Sequence, residues 1–125
     1  MEAELALEKA VNRIKETDRE KKVQFIILFG SSARGDSTDL SDIDLAVGYD
    51  GNERERFDFR IKISGELPQN FDVQIFQDLP LYLKKEVLKG EVLFARDFGE
   101  LHELALDVIR EYDMFEPNFL DYVER

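Results

Sequence analysis

Asp42 and Asp44 stand two residues apart in the run Asp42-Ile43-Asp44-Leu45-Ala46-Val47, and Asp72 sits in a similar run, Phe71-Asp72-Val73-Gln74-Ile75-Phe76. In a strand, side chains alternate, so Asp42, Asp44 and Ala46 share one face while Ile43, Leu45 and Val47 take the other. Asp72 is likewise set apart from Phe71, Val73 and Ile75. Like charges a few ångströms apart repel by about 1–4 kcal/mol per pair, so clustered carboxylates require cations or shared protons. Mg²⁺ is the natural cation, because it takes oxygen ligands, keeps some of its waters and completes its shell with substrate phosphate. Two such ions about 3.5–4 Å apart stabilise the attacking and leaving oxygens of an in-line displacement. Metal-assisted phosphoryl transfer is therefore the chemistry these acids suit, with Asp42, Asp44 and Asp72 as candidate metal ligands and catalytic residues.

A second element strengthens the reading. Phe29-Gly30-Ser31-Ser32-Ala33-Arg34-Gly35 follows an apolar strand. Gly30 has no Cβ and permits close approach of a ligand to the main chain. Residues Ser31 to Arg34 are read as one helical turn whose free N–H groups, with the Ser31 and Ser32 hydroxyls, face an anion. A Gly-Ser pair after a strand is by itself most often an ordinary turn, and a lone aspartate in an acidic chain is most often a solvated edge residue. The turn, the same-face pair and the later same-face acid together favour a site.

Positioning these residues demands particular elements. The unbroken apolar run in Val23 to Phe29 predicts a strand buried on both faces. For Gly30 at its end to lie beside Asp42 at the start of the next strand, those strands must be antiparallel. For Asp72 to meet Asp42, the second and third strands must be parallel, which requires a crossover of about a dozen residues or more. The alternation of Phe57, Phe59, Ile61 and Ile63 reads locally as a strand, yet the crossover requires a helix, here placed at Glu53 to Leu67. A helix over Glu2 to Glu20 carries Leu5, Leu7, Ala10, Val11 and Ile14 on one side. Leu79 to Lys89 is a short helix with Pro80 near its start and Gly90 past its end. Glu91 to Ala95 is an edge strand, and Phe98 to Tyr112 is a helix with Leu101, Leu104, Ala105, Val108 and Ile109 inward. The expected class is α/β, a mixed β-sheet of about four strands flanked by helices.

Composition bounds the alternatives. With 125 residues and 43% hydrophobic content, the chain is expected to form a single domain, residues 1–125. No apolar run reaches the length of a membrane span and the acidic start lacks a secretory signal, so the expected location is cytoplasmic, with no membrane partner. Cysteine is absent, which removes disulfides and thiolate chemistry. A net charge of −11 argues against direct nucleic acid binding, which rests on Lys and Arg along the phosphates. A nucleoside triphosphate escorted by metal is a smaller electrostatic problem, and acidity also suits a basic protein partner.

Gly30-Ser31, Ala33-Arg34-Gly35, Ser41-Asp42-Ile43-Asp44-Leu45 and Asp72 together resemble the signature of the minimal nucleotidyltransferases, the MNT branch of the polymerase-β-like superfamily. The resemblance implies a palm-like nucleotidyltransferase fold. It also implies ATP as substrate with two Mg²⁺ ions held by Asp42, Asp44 and Asp72, and phosphate contacts from Gly30 and Ser31. Arg34 either contacts the triphosphate or pairs with Asp36 or Asp39. Larger members of that superfamily add a domain for the acceptor, and no segment here remains to build one. MNT proteins resemble the antitoxin half of pairs whose other half is a helical HEPN toxin, a ribonuclease. The resemblance thus implies transfer of AMP from ATP to a tyrosine of a HEPN-type toxin. Two other readings stay open: a nucleotidyltransferase acting on a small molecule such as an aminoglycoside, with a homo-oligomer interface holding the acceptor, and an antitoxin that neutralises its partner by binding alone.

The remaining chemistry-bearing residues read as scaffold. His102, the single histidine, lies on a late helix far in sequence from the acids, and the tyrosines lack neighbouring bases. Beyond Asp113, Met114, Phe115, Phe119 and Tyr122 surround Pro117, where a helix is expected to break. That tail either folds back on the core or presents an apolar patch.

Overall fold

The structure, a computed structural model, describes residues 2–30 and 42–124, with side chains described for 4–30 and 42–114. In chain order the elements are α1 (Glu2–Thr17), β1 (Val23–Phe29), β2 (Ile43–Tyr49), α2 (Glu53–Glu66), β3 (Phe71–Ile75), a 3₁₀ turn (Phe76–Asp78), α3 (Leu81–Leu88), β4 (Glu91–Ala95) and α4 (Phe98–Glu124). The strands form one mixed sheet in the order β3-β2-β1-β4. β1 pairs antiparallel with both β2 and β4, and β2 pairs parallel with β3. This is the expected four-stranded class, and β4 is an edge as predicted.

The central place of β1 explains its apolar run. Ile26 and Leu28 join Leu45, Val47, Val73 and Ile75 on one face, where Ala10 and Ile14 of α1 and Phe59 and Ile63 of α2 close the core. Phe25, Ile27 and Phe29 join Ala46 on the other face, under Val87 of α3 and Leu101 and Val108 of α4. A strand with helices on both sides has no face on which to place polar residues. The extra apolar positions assigned inward are less buried: Leu5 is 51% exposed and Ile109 42%.

The ambiguous segment after β2 is a helix. Asn52 caps it by accepting from the Glu55 N–H at 2.8 Å while Glu55 accepts from the Asn52 N–H at 3.0 Å, a reciprocal capping box. In helical form the alternating apolar residues divide into two pairs four residues apart. Phe59 and Ile63 are buried, with Phe59 stacked on Tyr49 at 4.4 Å between ring centroids, while Phe57 and Ile61 remain half-exposed. Four alternating apolar residues therefore do not make a strand once the crossover is imposed. At the far end of β2, Gln77 clasps the strand by accepting from the Tyr49 N–H at 3.2 Å and donating to the Tyr49 carbonyl. α3 ends where the Gly90 N–H meets the Val87 carbonyl, and a Cβ at Gly90 would lie 2.1 Å from the Leu28 carbonyl oxygen.

α4 departs from expectation. It runs past Tyr112 and through Pro117 to Glu124 instead of breaking at the proline. A proline removes one N–H from the ladder and crowds the preceding turn, but the hydrogen-bonded turns on either side carry this helix on. The packing of Phe115, Phe119 and Tyr122 lies outside the described side chains. His102 is exposed on this helix, as expected of a solvated residue.

One acid that anchors the fold was not singled out in the sequence. Asp18, 4% exposed, accepts from the backbone N–H groups of Lys22 at 2.9 Å and Val23 at 2.8 Å, with an Arg96 guanidinium nitrogen 3.8 Å from it. It thereby joins the α1–β1 turn, where Lys21 adopts a positive φ of 60°, to the end of β4. Removing a carboxylate that satisfies a buried and a part-buried donor leaves both unpaired. Asp18→Ala is expected to cost about 2–4 kcal/mol in urea denaturation. Asp18→Asn should cost less, because its amide keeps one acceptor oxygen.

Candidate functional site

The strand register assembles an acidic end of the sheet. Phe29, the last residue of β1, lies opposite Asp44 on β2, and Asp44 lies opposite Asp72 on β3. Directly paired residues point to the same face, so the two carboxylates stand side by side. They share the face of Ile27, Phe29 and Ala46, whose apolar side chains floor the site. The Ile43 N–H donates to the Asn70 carbonyl at 2.8 Å, which ties together the entries to β2 and β3. Asp42, exposed, precedes β2 by one residue and alternates onto the same face as Asp44.

Gly30 completes this end. Its φ of 79° is left-handed, and an added Cβ would stand 2.5 Å from Asp44 Oδ2. The turn therefore presses main chain against a carboxylate, an approach that only glycine permits without displacement. The neighbouring proposed phosphate-binding residues, Ser31 and Arg34, lie outside the described residues, as do Asp36 and Asp39.

The acids act on one another. The Asp44 carboxyl has its pKa raised above the ordinary range, first by burial, then by the charge of Asp72, then by that of Asp42. All three sequence-derived acids thus contribute to one negative field. Among the described residues, however, no three acidic or imidazole side chains close into a ready-made metal cage. The donor set consists of hard carboxylate oxygens, and the ionisation of Asp44 is opposed by its burial and its neighbours, so the set fits a divalent cation.

The sequence reading passed over Gln74. Its side-chain amide donates to Asp72 Oδ1 at 3.0 Å from the next same-face position of β3. The period of two that selected Asp72 also places Gln74 beside it, so the signal was available.

A mixed four-stranded sheet with helices on both faces, carrying paired acids beside a left-handed glycine turn, defines the nucleotidyltransferase fold. The chain belongs to the polymerase beta nucleotidyltransferase family, whose model matches residues 12–99. It is 40% identical over 83 residues to a Methanocaldococcus jannaschii protein provisionally named a protein adenylyltransferase, covering 66% of this chain and 63% of that relative. This chain thus spans a little under two thirds of the relative's length. Among solved structures, it is similar to a chain of a toxin–antitoxin crystal structure with AMP-PNP. There the identity is 23%, coverage is 90% of this chain and 94% of the other, and the TM-score is 0.70. It is also similar to a chain of a complex between a tri-AMPylated Shewanella oneidensis HEPN toxin and an MNT antitoxin. In that case identity is 20%, coverage 94% and 95%, and the TM-score 0.67. At these identities the structural likeness establishes the fold.

The raised Asp44 pKa has a stability consequence with a definite sign. In the window just above the ordinary carboxylate pKa, the folded metal-free protein keeps a proton that the unfolded chain has released. The Asp44 contribution to stability is therefore highest below that window and falls as pH rises through it. Asp44→Asn is expected to raise the melting temperature of metal-free protein at neutral pH by about 2–4 °C and to flatten this pH dependence. A melting temperature that stays unchanged or falls would contradict the clustered-charge description.

Proposed function

We propose that this protein is a Mg²⁺-dependent nucleotidyltransferase that moves AMP from ATP onto a tyrosine hydroxyl of a HEPN-type toxin and so acts as its antitoxin. The observation that carries the reading is the Asp44–Asp72 register pair, with Asp42 adding to its field and Gly30 pressed against Asp44. Support also comes from family membership, from the adenylyltransferase name of the 40% identical relative, and from structural neighbours in complexes that contain an AMP-PNP nucleotide or an AMPylated HEPN toxin.

Asp42, Asp44 and Asp72 would hold the metal. Bound there, Mg²⁺ would supply neutralisation of the phosphate charge and of the carboxylates themselves. The main chain at Gly30 and the Ser31 hydroxyl would hold the triphosphate, with Arg34 available to the same anion. The tyrosine oxygen forms a bond to the α-phosphorus while the bond from that phosphorus to the bridging oxygen breaks, and pyrophosphate leaves. Asp72 would take the hydroxyl proton, a role supported by the edge position of β3, which an acceptor on another chain can approach. We further propose that residues 1–125 act as one cytoplasmic domain that requires no nucleic acid.

The deciding experiment is the intact mass of a co-expressed helical partner, with and without ATP and Mg²⁺. Addition of adenylyl groups only in their presence is expected, while a tight complex with unchanged partner mass would identify an antitoxin that works by binding alone. Replacing both Asp42 and Asp44 by Asn should abolish the mass increase while circular dichroism shows an intact fold. Asp72→Asn should lower turnover by at least about 100-fold and weaken ATP binding far less, as expected of a group that serves the attacking side. Equal losses in both quantities would make Asp72 a metal ligand only.

A further inference from the structure

We infer that Gln74 is a positioning residue for Asp72: its amide holds Asp72 Oδ1 and thereby sets which carboxylate oxygen stays free for a divalent cation. The kinetic side of this inference rests on the proposed transfer reaction; its metal-binding side stands separately.

Register supplies the geometry. Asp72 pairs with Asp44 and Gln74 pairs with Ala46, so the face reads as a row of two acids followed by a row of one amide and one methyl. Ala46 is fully buried and small, which leaves the Gln74 side chain room to lie back along β3 toward Asp72. The contact is 3.0 Å from Nε2 to Oδ1. An ionised carboxylate only accepts, so the amide must present its NH₂ group to it, and the orientation of the amide follows from chemistry.

Burial alone does not demand this bond. Gln74 is half-buried on β3, an edge strand, where water could satisfy its amide. The donor is also neutral. A Lys or Arg at this position would fix the carboxylate but compete with a cation for its charge, whereas an amide restrains one oxygen and leaves the negative charge intact. With Oδ1 engaged, the plane of the carboxylate is fixed and the other oxygen is the one available to metal.

The test compares the wild type with Gln74→Leu, Gln74→His and Asp72→Asn. Mn²⁺ affinity is read by electron paramagnetic resonance of the free ion, and kcat and the KM for ATP are read with the partner. Gln74→Leu is expected to weaken Mn²⁺ binding by about tenfold and to lower kcat by about tenfold, with the KM for ATP changed by less than about twofold. Gln74→His keeps an N–H donor and should restore most of both. Leucine fills a similar volume, so a packing role would leave Mn²⁺ affinity unmoved, and wild-type affinity in Gln74→Leu overturns the inference. Failure of the wild type to bind Mn²⁺ overturns it as well. Should Gln74→Leu fold poorly, Gln74→Asn, which keeps the amide but loses reach, carries the same expectation. A wild type that transfers nothing would remove the proposed reaction, while the Mn²⁺ comparison would still decide the role of Gln74.

Discussion

Strand register is the constraint on which the acidic end of this molecule depends. Asp44 faces Phe29 on one side and Asp72 on the other because β1 and β2 run antiparallel while β2 and β3 run parallel. Side chains alternate with a period of two, so a slip of one residue between β2 and β3 would turn Asp72 into the core and Phe71 or Val73 toward the opposite face. The two hydrophobic layers prevent that slip. Val73 and Ile75 are held under α1 and α2, and Phe25, Ile27 and Ala46 under α3 and α4. Core packing on both faces thus fixes the placement of polar groups at the sheet end.

Two acids show how differently the fold treats negative charge. Asp18 is buried, yet it accepts from two backbone N–H groups and has Arg96 nearby. Its surroundings are arranged for a carboxylate, and its contribution is structural. Asp44 instead receives burial and the fields of Asp72 and Asp42, each of which opposes its ionisation. Such an arrangement adds nothing to the stability of the metal-free protein, whereas a cation bound between these groups would offset the repulsion. The contrast is between an acid whose partners favour its charge, Asp18, and one whose surroundings oppose it, Asp44.

The dihedral freedom of Gly30 belongs to the same logic. Gly30, left-handed at the strand end, has no Cβ, and the space that a side chain would have filled is occupied by Asp44 Oδ2. Gln74 adds restraint from the other side of the acid pair. Main chain, paired carboxylates and amide lie within one end of one sheet face, above an apolar floor.

Much of this was legible in the chain. Val23–Phe29 read as a doubly buried strand because Phe25 to Phe29 is wholly apolar, and alternation, a local property of extended backbone, set Asp42 and Asp44 on one face and Asp72 apart from its apolar neighbours. The helical character of residues 53–66 was legible only through the crossover argument, since Phe57, Phe59, Ile61 and Ile63 alternate in sequence. The continuation of α4 through Pro117 was not legible, because a proline's local cost does not reveal how well the flanking turns are held. Nor was Asp18, whose partners are backbone N–H groups that no side-chain pattern announces. By itself, the sequence determined which residues can share a face, because periodicity follows from the dihedral angles of a single segment. Tertiary structure alone decided that Asp44 stands opposite Asp72, that Gly30 abuts Asp44 and that Asp18 is enclosed, because which residues oppose one another is set by pairing between segments distant in the chain.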